Sequence, residues 1–310
     1  MVDKGRRQRV WVAVLVALVA ACGTDPAEET AQVRGDRAFA RGDFEEALAE
    51  YRLSLLQEEP GTAGFVRAAH AYAALGRVDE ALVLYDSAVA RDSAVADQAV
   101  SDFVALAMRF NESGDGFGVA SAIEAATDFR PGLAVEGLTL PLARHYSNSG
   151  EYGRALPLYL RALGSHREEL DVIYETAMAH EEMGDCERAL IFFEEHLEEA
   201  PRRLQGDTGW HIGRCSFAVA GELRSNGRDE EALIHLERTI ELGEPRTLLP
   251  QAHFDRADIL ASLGQCDAAI EAFRQVPLVD PSGGGPLARR ARDRIDEIRF
   301  GRGDREGVGC

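Results

Sequence analysis

Seven glycines mark out this chain: Gly42, Gly76, Gly114, Gly150, Gly184, Gly227 and Gly264, spaced by 34, 38, 36, 34, 43 and 37 residues. A recurrence of this length is the signature of stacked supersecondary units, and it constrains the fold more than any composition does. Each glycine stands where one apolar helical pattern stops and another starts, as in Arg41-Gly42-Asp43-Phe44 and Leu75-Gly76-Arg77-Val78. A residue that tolerates left-handed backbone is what ends a helix in that way.

The positions around the glycines are in register. Seven residues before each come Gly35, Ala69, Ala107, Ala143, Ala177, Ala220 and Ala257, all small enough for close helix contact. Five after come Ala47, Ala81, Val119, Ala155, Ala189, Ala232 and Ala269, and nine after come Tyr51, Tyr85, Ile123, Tyr159, Phe193, Leu236 and Phe273. Small and large residues therefore alternate on one buried face of a second helix. Four before each glycine lie Ala38, Tyr72, Phe110, Tyr146, His180, Leu223 and Leu260, which fill each helix pair. Pro60, Pro131, Pro201, Pro245 and Pro281 are placed to stop the second helices.

Across roughly residues 30–281 the chain resembles the tetratricopeptide repeat family. The turn and second-helix phrases Gly42-Asp43-Phe44-Glu45-Glu46-Ala47-Leu48 and Gly150-Glu151-Tyr152-Gly153-Arg154-Ala155-Leu156 carry the resemblance. It implies an all-α fold, a right-handed superhelical solenoid of about seven helix-turn-helix repeats that binds partners. Two units depart from the pattern. The third has extra glycines in Gly114-Asp115-Gly116-Phe117-Gly118, and the long spacing of the sixth implies an extended first helix or an insertion. Within residues 282–300, Leu287, Ala291, Ile295 and Ile298 lie on one face of a helix whose other faces carry arginines, as a C-terminal capping helix requires. Residues 301–310 read as a flexible tail.

The N-terminus obeys a different pattern. Lys4, Arg6, Arg7 and Arg9 precede an apolar run from Val10 to Ala21, too short to span a bilayer but suited to a secretory signal. The sequence Val19-Ala20-Ala21-Cys22-Gly23 resembles the lipobox of bacterial lipoproteins. That resemblance implies removal of a signal peptide of residues 1–21 and acylation of Cys22, with residues 22–29 as an acidic tether. Several acyl chains on one residue give stable membrane attachment. Gly23, where a retention signal would place Asp, leans the location toward the outer membrane, facing the periplasm.

From Cys22 onward 30 arginines face 52 acidic residues, a net charge of −22, which disfavours nucleic acid and anionic lipid surfaces as partners. Lys4 is the only lysine, so the lysine-based clamp with which some relatives hold a C-terminal carboxylate is absent.

Ten and six residues before the turn glycines runs a stripe containing Val66, His70, Val104, Met108, Leu140, Arg144, Tyr174, Met178, Phe217 and Phe254. It reads either as a partner-binding groove with apolar anchors and polar selectors or as ordinary core. Cys186 and Cys215 flank Pro201 at similar distances, so antiparallel helices bring them together as a disulfide; Cys266 reaches Cys310 only if the tail folds back. The alternative is buried free thiols. His180-Glu181-Glu182-Met183-Gly184 lacks the second histidine of a zinc-protease helix, and His180 occupies a core position. No nucleophile elbow, phosphate loop or dinucleotide fingerprint is present, so neither catalysis nor a cofactor is expected. The expected role is a membrane-tethered scaffold recruiting envelope proteins. The alternatives are a secreted adaptor without lipid and an accessory subunit of an envelope enzyme complex.

Overall fold

A computed structural model describes residues 29–57, 61–281, 284–301 and 310, so the expected signal, Cys22 and most of the expected tail lie outside the described residues. Among the described residues there are fifteen α-helices and no strand. They fall into two compact units, up to Leu138 and from Thr139 onward.

The first unit holds three helix pairs: α1 (Ala31–Ala40) with α2 (Phe44–Gln57), α3 (Thr62–Ala74) with α4 (Val78–Val89), and α5 (Ala96–Ser113) with α6 (Gly116–Phe129). In the second unit α7 (Thr139–Asn148) pairs with α8 (Tyr152–His166), and α9 (Leu170–Glu182) with α10 (Cys186–Glu199). There follow α11 (Arg202–Ser225) with α12 (Asp229–Leu242), α13 (Leu249–Ser262) with α14 (Cys266–Val279), and the capping helix α15 (Pro286–Phe300). The wide spacing before the sixth glycine is taken up by α11, at 24 residues the longest helix among the described residues. Pro201 caps its start, and Pro131 and Pro281 follow the ends of α6 and α14; Pro60 lies outside the described residues.

All seven ruler glycines have positive φ, between 73° and 80°. At each one the following N–H donates to the carbonyl four residues before the glycine, for example Asp43 to Ala38 at 3.0 Å and Gln265 to Leu260 at 2.8 Å. This is the Schellman closure, and it pairs carbonyls that a helix end leaves unsatisfied. The residue that supplies the carbonyl also supplies the side chain that fills the pair, so turn and core are set by one position. In the third unit the extra glycine has a packing reason: a Cβ on Gly118 would lie 2.5 Å from the Phe110 ring.

The alanines five residues after the glycines are fully buried, and Tyr85, Tyr159, Phe193 and Phe273 fill the space between them. Truncating one of these aromatics is worth about 3–5 kcal/mol. In the first unit Tyr85 meets Phe103 edge-on at 5.6 Å, and Phe103 stacks on Phe129. In the second, Tyr174 meets Phe193 and Phe254 meets Phe273 in the same edge-on manner.

Two disulfides lie in the second unit. Cys186 and Cys215 link α10 to α11 with Cα atoms 5.0 Å apart, the pairing expected from the sequence. Cys266 bonds to Cys310 with Cα atoms 5.6 Å apart, and the Cys310 N–H donates to the Ala261 carbonyl at 2.9 Å. The last residue is therefore held against α13 and α14, which corrects the expectation of a tail loose to its end.

Candidate functional site

The stripe singled out in the sequence lies on the first helices, where its members differ in exposure. Leu140 and Phe254 are buried, at 9% and 5% exposed, and belong to the core. Val66 and Val104 in the first unit, and Tyr174, Met178 and Phe217 in the second, are half-buried against core clusters. Met108 is 50% exposed. In the first unit Val66 and His70 border a cavity of about 280 Å³ with Phe39, Tyr51, Arg67 and Gln98.

The polar members of this face are joined from one repeat to the next. Asp36 accepts from the Tyr51 hydroxyl at 2.9 Å and from Arg67 at 3.1 Å. His70 Nδ1 pairs with Asp102, which also accepts from the Tyr85 hydroxyl and from Gln98. Burial and the neighbouring carboxylate hold the Tyr85 hydroxyl far above its ordinary range, so it stays a donor. Tyr51 is raised in the same way, by burial first and by Asp36 second.

In the second unit Arg144 Nε lies 3.0 Å from both carboxylate oxygens of Glu175. Burial raises the Glu175 carboxyl despite that arginine. The Tyr174 hydroxyl donates to Asp207 at 2.6 Å, and burial raises it as well. Glu181, its side chain 1% exposed, takes His211 Nδ1 and Arg214 Nε, each at 2.6 Å, and lies 3.6 Å from the sulfur of Cys215. Arg224 reaches Asp255 at 2.9 Å and also Asp258, which Arg294 of the capping helix approaches at 3.4 Å.

These partners lie about one repeat apart in sequence, and sequence reasoning missed most of them. A search for opposite charges at the repeat spacing of 31–36 residues finds Asp36 and Arg67, Arg144 and Glu175, and Asp258 and Arg294. Exposed ion pairs of this kind contribute little each. Their effect is to orient side chains: the first helices present aimed hydrogen-bonding groups beside half-buried apolar ones, which is what selection of a peptide needs. His180 is buried as expected, stacked on Phe192, and burial lowers its pKa.

Comparison with known proteins agrees with this architecture. Two family models match, one described as "Tetratrico peptide repeat" over residues 28–130 and one as "Tetratricopeptide repeat" over residues 140–203. A curated relative, "Cellulose synthase operon protein C" of Xanthomonas axonopodis pv. citri (strain 306), is 29% identical over 282 residues. The match takes in 76% of this chain but only 18% of that protein's length. Among solved structures, Naa15/Naa10 bound to HypK-THB aligns at 17% identity over 87% of this chain and 41% of that one, with a TM-score of 0.45. The TPR2AB domain of yeast Sti1 aligns at 14% identity over 87% and 97%, with a TM-score of 0.35. The two family matches and the seven identically closed turns identify tetratricopeptide repeats over residues 28–130 and 140–203.

Proposed function

We propose that the chain is an exported, lipid-anchored scaffold whose repeats recruit other proteins at the periplasmic side of a bacterial envelope. Tetratricopeptide repeats mediate protein–protein interaction, and the first-helix face of the second unit, with Tyr174 and Arg144 held by their acidic partners, is suited to that work. The observation that carries the envelope location is the cysteine pattern. Four of the five cysteines pair off in two disulfides, as befits an oxidising compartment. The fifth is Cys22, directly after the basic start and apolar run.

The name of the curated relative favours a second reading, an accessory subunit of an envelope enzyme complex connected with polysaccharide synthesis. In both readings the chain carries no catalysis of its own.

The test expresses wild type and Cys22→Ser with radiolabelled palmitate, fractionates the membranes, and captures bound proteins with Leu140→Ala and Tyr174→Ala alongside. Label and membrane attachment that vanish in Cys22→Ser, with a partner retained by wild type and lost by folded Tyr174→Ala, support the proposal. Unlabelled protein in the soluble export fraction leaves the non-lipidated adaptor. A protein retained in the cytoplasm with reduced thiols overturns the envelope reading altogether.

A further inference from the structure

Between the second helices α10 and α12 runs a depression of about 760 Å³, within the ~300–1,000 Å³ range of occupied sites. On α10 its lining falls at Glu187, Leu190, Ile191 and Glu194, the spacing of one helical face. On α12 Ile234 and Arg238 have the same relation. Ile191 and Ile234 are 64% and 65% exposed, although the opposite faces of their helices are packed. Between them, on α11, Ser216 also borders the depression. This residue is only 1% exposed, and its hydroxyl has no hydrogen-bond partner. Buried hydroxyls ordinarily find one, so this one awaits a group brought by an occupant.

The rim sets the sign of that occupant. Five glutamates line the depression against two arginines, and both arginines are already engaged. Arg228 holds Glu231 at 2.6 Å, and Arg238 holds Glu194 at 2.6 Å and Glu241 at 3.1 Å. Glu237 is held in turn by Arg256 at 3.1 Å, and with that pair counted the rim keeps a net charge of −2, which repels phosphates and anionic headgroups and attracts cations.

We infer that this depression seats a basic amphipathic helix of a partner protein, its apolar side chains between Ile191 and Ile234 and its Lys or Arg flanks against the rim glutamates. Two helical faces with lining residues at i, i+3, i+4 and i+7 offer the ridges between which a third helix packs. One polar side chain among the apolar ones reaches the Ser216 hydroxyl. The inference rests on the adaptor reading only in that it supplies a partner; it depends neither on Cys22 nor on the first-helix face.

The test is fluorescence anisotropy with the oxidised full chain and three labelled peptides of about five helical turns: an amphipathic Leu/Lys helix, a scrambled Leu/Lys peptide of the same composition, and a Leu/Glu helix. The amphipathic Leu/Lys peptide should bind about tenfold more tightly than the scrambled one, and the Leu/Glu peptide should not bind. Ile191→Ser with Ile234→Ser changes no charge and alters only exposed side chains, and it should weaken binding about tenfold. Leu56→Ser with Val83→Ser, in an apolar depression of the first unit, should leave affinity unchanged. Equal binding by the Ile191/Ile234 variant means that general acidity attracts the peptide, and overturns the inference. Loss only in Tyr174→Ala overturns it too, while leaving the adaptor reading in place, and no binding by wild type does the same.

Discussion

Replacing both cysteines of the α10–α11 bridge with serine measures how far a covalent link holds the second unit together. The bond joins residues 29 apart, and closing a loop of that length removes ~3.6 kcal/mol of chain freedom from the unfolded state. The native state loses little by the exchange. Cys186 is half-buried at the start of its helix, and a serine at the fully buried position 215 has a Glu181 oxygen as acceptor, 3.6 Å from the present sulfur. The expected cost of Cys186→Ser with Cys215→Ser is therefore about 2–4 kcal/mol. With a urea slope of about 2 kcal/mol/M, the midpoint falls by roughly 1–2 M. Trp210, on α11 one turn from Cys215, reports the local transition by fluorescence. The other tryptophan, Trp11, lies in the proposed signal. The Cys266–Cys310 bond clamps the terminal pair, and repeat proteins transmit stability mainly between neighbours. Cys266→Ser with Cys310→Ser should thus move the Trp210 midpoint much less. A shift below roughly 0.5 M in the first variant, against the slope above, or alkylation of Cys186 in unreduced native protein, refutes the reasoning.

Three further outcomes follow from buried groups. A Cβ at Gly213 would lie 1.8 Å from the Glu244 carbonyl oxygen, so Gly213→Ala must displace the α12–α13 loop and cost about 1–3 kcal/mol in urea titration; an unchanged midpoint would show that the helix and loop do not meet there. His211→Ala with Arg214→Ala leaves the Glu181 carboxylate buried without these two partners, at a cost of about 3–5 kcal/mol; adding Glu181→Leu should recover most of this, and failure to do so contradicts the assigned pairing. Burial lowers the pKa of His180, His196, His235 and His253 below the ordinary 6.5, so the unfolded chain takes up more protons as pH falls through that value, and stability drops with it. Thermal melts should therefore show a lower Tm at mildly acidic than at neutral pH, with a smaller drop in His180→Phe; an identical drop removes His180 from this account.

Much of the fold was legible because its rules are local. A glycine in the left-handed region, a small residue seven before it and a large one nine after it are requirements of one helix pair, and they recur wherever the pair recurs. The long spacing of the sixth unit translated directly into the 24-residue α11, and the pairing of Cys186 with Cys215 followed from antiparallel neighbours about one proline. The candidate stripe was legible as a position on the first helix. Its exposure was not, because that depends on what the next repeat lays over it: Leu140 and Phe254 are covered, and Met108 is open.

The sequence alone determined the helical class, the seven turns and the alternation of small and large core residues, since each depends on backbone geometry within some forty residues. Tertiary structure decided which carboxylate meets which arginine across repeats, that Cys310 returns to Cys266, and that Ile191 and Ile234 face each other over an unpaired Ser216. Those pairings depend on how successive units stack, where a shift of one helical face exchanges one set of partners for another, and no short-range pattern records that choice.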